Sequence, residues 1–202
     1  MVKVVLNLVQ RNARRVVKID MYRPQQILTF DITDSSMQKI QKIFNKCYED
    51  STFIGKEIEI DVCTRGGVQT LNAIKFIDSS VISEITEIIN QYIMQYYDGR
   101  LKYFDFFIDY IHFISYKNDG YQLGHTHYST EDISFIVYLN DSDAVTRIYC
   151  ENGCKEIKSV KNKLVIFDPS LYHEATKCSN ERKVMVGAVR FLNKIWKNDR
   201  IV

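Results

Sequence analysis

Apolar and polar positions alternate through residues 2–9, 15–21 and 27–32, where β-branched side chains are dense, and this period of two predicts strands. The period then lengthens. Met37, Ile40, Ile43 and Phe44 recur at helical spacing behind Asp34 or Ser35, either of which can cap a helix ending near Glu49. Ile82, Ile85, Ile88, Ile89 and Ile93 share one face of a second helix, starting at Ser79 or Ser80 and ending near Gly99. Two helices with one apolar face each need a sheet to cover. Beyond Tyr103 the segments 106–116, 133–140, 145–150, 164–167 and 184–192 read as extended. Turn-like clusters separate them: Asn118-Asp119-Gly120, Asn140 to Asp143, Glu151-Asn152-Gly153 and Ser179-Asn180. A strand-dense second half after two amphipathic helices predicts a mainly β fold, two antiparallel sheets with the helices packed outside one of them.

Composition narrows the picture further. With 202 residues, 8 Gly, 2 Pro and no repeat or linker, the chain is expected to form a single domain, with residues 1–102 supporting a core that spans 103–192 and carries the site. Apolar residues at 46% and charged residues at 26% exclude disordered and fibrous classes. The 27 basic residues nearly balance the 25 acidic ones, so no broad nucleic-acid or membrane-surface footprint is expected. Arg11, Arg14, Arg15, Lys155, Lys158, Lys161 and Lys163 read as a solvated face. Apolar runs reach only about the length of the one from Phe135 to Leu139, and the N-terminus lacks an apolar signal core, so the expected compartment is cytoplasmic, with no membrane partner. Five scattered cysteines with no CxxC pair fit reduced thiols; Cys150 and Cys154 have no second pair with which to hold zinc.

The four histidines, His112, His125, His127 and His173, carry the most chemistry. In an extended segment residues i and i+2 project from one face, so His125 and His127 point two imidazoles into one space. His173 follows the strand 164–167 and the turn Asp168-Pro169-Ser170, from which it can return to that pair. Neutral imidazole suits zinc, copper, iron and nickel.

Taken with their surroundings, these residues resemble a known family. Tyr116 and Gly120, then His125-Thr126-His127, then Tyr138-Leu139-Asn140, then the strand into His173, and Arg182 9 residues beyond it, follow the order found in the iron(II)- and 2-oxoglutarate-dependent oxygenases, nearest to the prolyl-hydroxylase-like branch. The resemblance covers roughly residues 110–192. It implies a double-stranded β-helix (jelly roll, cupin-like) and a hydroxylase that decarboxylates 2-oxoglutarate to succinate using iron(II) and dioxygen. It further implies metal ligation and catalysis at His125, His127 and His173, and a cosubstrate pocket built from Arg182, Tyr138 and Tyr116. Arg offers a fork that matches both oxygens of the far carboxylate of 2-oxoglutarate. Lys183 is the alternative cation, but it points to the opposite face of an extended segment.

One position departs from the family pattern. The HxD/E pair has become HxH, so either the site is three-histidine or Glu131 or Asp132 supplies a carboxylate. Three neutral ligands leave a divalent metal its full charge. Other readings use the same residues: a cupin-type metalloenzyme through His125, His127, Glu131 and His173, a three-histidine zinc hydrolase or lyase, or a β-sandwich binding module without catalysis. The substrate, a small molecule or a protein side chain, is not legible, because no motif speaks in the N-terminal half.

Overall fold

The computed structural model describes residues 27–50, 63–96, 101–128 and 130–196. The strands expected at 2–9 and 15–21, and the end of the second helix near Gly99, lie outside the described residues.

The chain enters on β1 (Ile27–Asp31) and turns into α1 (Asp34–Glu49). The cap is Thr33, one residue earlier than the sequence reading placed it: its backbone is extended (ψ 148°) and its hydroxyl accepts the Ser36 N–H at 3.3 Å. Glu84 decides the choice. Its carboxylate accepts from the Thr33 N–H at 2.7 Å and from the Thr33 hydroxyl at 2.9 Å, tying the start of α1 to the second helix, α2 (Ser79–Tyr96). Asp78 precedes α2 and accepts the Ser80 N–H at 3.0 Å, which satisfies one of the orphan donors of the first turn. No described helix is long and apolar enough to cross a membrane.

The strands are β2 (Thr64–Gln69), β3 (Leu101–His125), β4 (Ile133–Tyr138), β5 (Ser142–Cys150), β6 (Gly153–Ser159), β7 (Lys163–Phe167), β8 (His173–Ala175) and β9 (Arg182–Trp196). All described pairings are antiparallel, in the order β1-β7-β4-β9-β3-β8-β5-β6, with β2 also on β3. The sequence reading expected two antiparallel sheets. The described strands instead form one continuous, curled sheet, because the 25-residue β3 belongs to both halves. It pairs with β9 from Leu101 to Tyr116 and with β8 from Gln122 to His125, and register shifts along it let it bend. The Asn118-Asp119-Gly120 signal does not end the strand. Asp119 adopts φ 64°, its N–H bonds to the Cys178 carbonyl at 2.7 Å, and the Cys178 N–H returns to Gly120 at 3.1 Å, so the would-be turn is absorbed as a paired irregularity.

β4 is buried along its whole length because both of its faces are covered. Val137 faces the helices with Met37, Ile40, Phe44, Ile85 and Ile89. Ile136 and Tyr138 face the inside of the curl with Ile114, Tyr116, Ile148, Val165 and Phe167. The helices therefore plug the outer face, and the inner face is left to form a cavity.

Candidate active site

His125 closes β3, His127 lies in the following loop, and His173 opens β8 opposite His125 in the ladder. One ring nitrogen of each lies within 4.8 Å of the others, the metal-competent group of His, Cys, Asp and Glu found among the described residues. The loops that carry them are docked on each other: the His127 N–H donates to the Pro169 carbonyl at 2.8 Å, inside the turn that leads to His173. Asp168 fixes that turn, accepting from the Ser170 N–H at 2.9 Å and from the Tyr96 hydroxyl of α2 at 2.8 Å.

Each ring is oriented through Nδ1. His125 Nδ1 lies 2.8 Å from the Leu123 carbonyl, and His173 Nδ1 lies 3.0 Å from the Leu171 carbonyl. A carbonyl only accepts, so Nδ1 carries the proton and Nε2 keeps its lone pair for a metal. Burial holds all three rings below the ordinary imidazole range, His173 at about 3, which keeps them neutral and ligand-ready.

His127 has a different partner. Its Nδ1 lies 3.0 Å from the carboxylate of Glu131, whose side chain is 1% exposed and also accepts from the Ser134 hydroxyl at 2.5 Å and from the Tyr110 hydroxyl. Glu131 is thus engaged with the back of a histidine. Asp132 is turned elsewhere, accepting the Phe191 N–H at 2.9 Å. Neither carboxylate joins the convergent group, as the cupin-type reading requires of Glu131.

Arg182 begins β9 and is 2% exposed, inside the curl. Its Nε donates to the Ser159 hydroxyl at 3.0 Å and its Nη2 to the Thr146 hydroxyl at 2.9 Å. Its guanidinium carbon lies 5.2 Å from the Tyr116 ring centre and 5.6 Å from that of Tyr138. Tyr138 in turn donates to Thr146 at 2.7 Å, and Tyr116 to the Gln122 side chain at 3.1 Å. Burial raises both phenols, so they stay protonated donors. All of these are neutral partners, and no carboxylate among the described residues pairs with this guanidinium. Isolated charges are rarely buried without a counter-ion, so this guanidinium is able to accept an anion.

The ladder places the partner of Arg182 and the neighbour of His173 on one strand. Ile148 sits opposite His173 and Thr146 opposite Ala175, so the residue holding Arg182 lies two positions along β5 from the one facing His173. At about 3.3 Å per residue these two backbone positions are roughly 7 Å apart.

A cleft of about 160 Å³ opens beside the histidines. Sequence reasoning did not single out Gln69, Tyr110, Gln122 and Ser134 among its lining residues, and it named His112 without giving it a place in the site. His112 and Tyr110 were in reach, because alternation from Tyr116 back along β3 puts both on the same inward face. His112 Nδ1 is 2.9 Å from the Thr70 carbonyl. Thr146 and Ser159 carried no comparable signal, since a hydroxyl in a strand looks the same whether it holds an arginine or faces water.

No protein-family model and no curated protein matches the sequence. Solved structures do. The chain is similar to a prolyl-4-hydroxylase of Pseudomonas putida (TM-score 0.58, 16% identity, covering 82% of this chain and 92% of that one). It is also similar to a prolyl hydroxylase of Trichoplax adhaerens determined in complex with a hypoxia inducible factor oxygen degradation domain peptide fragment (TM-score 0.61, 13% identity, 83% and 84% covered). A third match is SnoN, a non-heme alpha ketoglutarate dependent epimerase from nogalamycin biosynthesis (TM-score 0.62, 7% identity, 90% and 84% covered). The curled antiparallel sheet with its two outer helices is the double-stranded β-helix fold that 2-oxoglutarate-dependent oxygenases share.

Proposed function

We propose that the protein is an iron(II)- and 2-oxoglutarate-dependent oxygenase that hydroxylates a small molecule or a protein side chain. The observation that carries this reading is the buried Arg182 guanidinium with hydroxyl and aromatic partners only, inside the same curl as three convergent imidazoles.

The donor set fits a first-row divalent metal: three neutral imidazoles with Nδ1 tied back and Nε2 free. His125, His127 and His173 would hold the metal, and iron(II) with 2-oxoglutarate would supply oxidation by dioxygen, with the cosubstrate converted to succinate and carbon dioxide. Arg182 would bind the far carboxylate of 2-oxoglutarate with its planar fork, and Tyr138, which donates to the Thr146 hydroxyl beside that guanidinium, would line the same pocket. Tyr116 and Gln122 connect the guanidinium to His125 by contact: the Tyr116 ring lies beside Arg182, its hydroxyl donates to Gln122, and the amide of Gln122 lies 3.5 Å from the free nitrogen of His125. Ile114, Ile136, Ile148 and Phe167 pack in the same inner cluster, and their low-dielectric surroundings strengthen each polar contact beside them. The substrate occupies the cleft, against His112 and Gln69.

The test is anaerobic titration of the iron(II)-loaded protein with 2-oxoglutarate, followed by admission of air. A metal-to-ligand charge-transfer band and subsequent succinate release are expected. Absence of both from protein that holds stoichiometric iron overturns the reading.

A further inference from the structure

The three-histidine set poses an electrostatic problem. A divalent ion held by neutral ligands keeps its whole charge, and a ferric ion, with one unit more, is held worse still. Among the groups in the cleft, one carboxylate is placed to offset this without touching the metal. Glu131 is fixed behind His127: its side chain is 1% exposed, it receives hydroxyl protons from Tyr110 and Ser134, and its oxygen lies 3.0 Å from His127 Nδ1. The two other histidines point Nδ1 at backbone carbonyls, which carry no charge. The asymmetry falls on the position where the sequence has imidazole in place of the carboxylate of the HxD/E pattern.

We propose that Glu131 is a positioning residue that returns the missing negative charge to the site through the Nδ1–H of His127, so that a His–carboxylate pair replaces a ligating carboxylate. The proposal rests on the metal reading above. Local structure supports it from both directions. The backbone N–H groups of Thr130 and Glu131 bond to the His127 carbonyl at 3.1 and 3.3 Å, so the loop folds back and brings residue 131 over residue 127. Ser134 then enters β4 on the inward face, where its hydroxyl meets Glu131. A hydrogen bond of this kind fixes the ring's tautomer and raises its basicity as a ligand, and loss of such a partner weakens metal binding by roughly 10- to 100-fold.

The experiment uses the whole chain loaded with zinc(II) for NMR and with iron for potentiometry. Ring nitrogen signals of His125, His127 and His173 that do not move when zinc(II) is added to the wild type overturn the metal reading and this proposal with it. If they move, the Nδ1–H proton of His127 is expected well downfield of those of His125 and His173. In Glu131→Gln, which keeps volume and an acceptor but loses charge, it is expected to return toward the other two. A wild-type His127 proton that matches the other two, or one unmoved in Glu131→Gln, overturns the proposal while leaving the metal site standing.

The iron(III)/iron(II) potential of Glu131→Gln is expected to rise, by about 59 mV for each tenfold loss of ferric over ferrous affinity. Tyr110→Phe removes a donor from Glu131, leaves its charge more available to His127, and is expected to lower the potential. Opposite signs distinguish charge from mere loosening of the loop, which would move both variants the same way. Should Glu131→Gln fail to fold, Tyr110→Phe and Ser134→Ala carry the same test: a raised or unchanged potential in both overturns the proposal.

Discussion

Arg182 and Lys183 are neighbours in sequence and lie on opposite faces of β9. Arg182 is 2% exposed and held by Ser159 and Thr146 inside the curl, whereas the Lys183 ammonium is paired with Glu181 at 2.7 Å and lies 5.5 Å from the Phe44 ring on the helix side. Replacing Arg182 with Ala is therefore expected to weaken 2-oxoglutarate binding to the metal-loaded protein by about 1.5–3 kcal/mol, or 10- to 150-fold, the worth of a charge-assisted pair of hydrogen bonds. Lys183→Ala is expected to leave binding within about threefold. Calorimetric titration of both variants checks the pair, and equal losses would contradict the geometry.

The histidines give the apo protein a pH-dependent stability of fixed sign. Their folded values are depressed, His173 to about 3, so between the ordinary imidazole value and that limit the unfolded chain binds protons that the folded chain refuses. Stability contributed this way is complete above about pH 7 and is lost as pH falls from about 6.5, with a slope of up to about 1.4 kcal/mol per pH unit for His173. Urea midpoints of wild type and His173→Gln across pH 8 to 5 check this. The variant is expected to lose less stability over the acid half of the range.

Gly187 stands opposite Phe135 in the β4–β9 ladder, and a Cβ there would press into the Phe135 ring. Gly187→Ala is expected to cost about 1–3 kcal/mol, the usual penalty for overpacking. Combining it with Phe135→Leu should cost less than the sum of the two single changes, because the shortened side chain vacates the space. Chemical denaturation of the four proteins of this cycle measures the coupling.

Thr33→Ala removes the cap of α1 and one of the two bonds that join Thr33 to Glu84. A loss of about 1 kcal/mol is expected. Glu84→Gln, which leaves the cap in place, should cost less. Thermal melts of the two variants separate the cap from the inter-helix tie.

Much of this molecule was legible in its residues, for reasons that differ from place to place. The helices over 34–49 and 79–96 announce themselves by period, since their apolar stripes must face the sheet. The two-residue spacing of His125 and His127 foretold a shared direction, which their approach to His173 matches. Strands β2 and β6 went unread: in β6 only Ile157 and Ser159 are buried, so it has little of the alternation that marks a strand. β8 is too short to show a period at all. The cap at Thr33 and the partners of Arg182 depend on residues 51, 36 and 23 positions away, and no local pattern reports such distances.

The shortness of β8 has a kinetic consequence. This three-residue strand is the described seam between β3 on one side and β5 on the other, and one of its residues is His173. Few backbone bonds need to break for the seam to part, while the long β3–β9 ladder, spanning Leu101 to Tyr116 on one strand, stays zipped. Amide hydrogens of residues 173–175 are thus expected to exchange with solvent sooner than those of β4 or the centre of β9. His173 rides on the seam, so the part of the convergent group that it supplies opens with a local event and is decoupled from the lifetime of the folded chain.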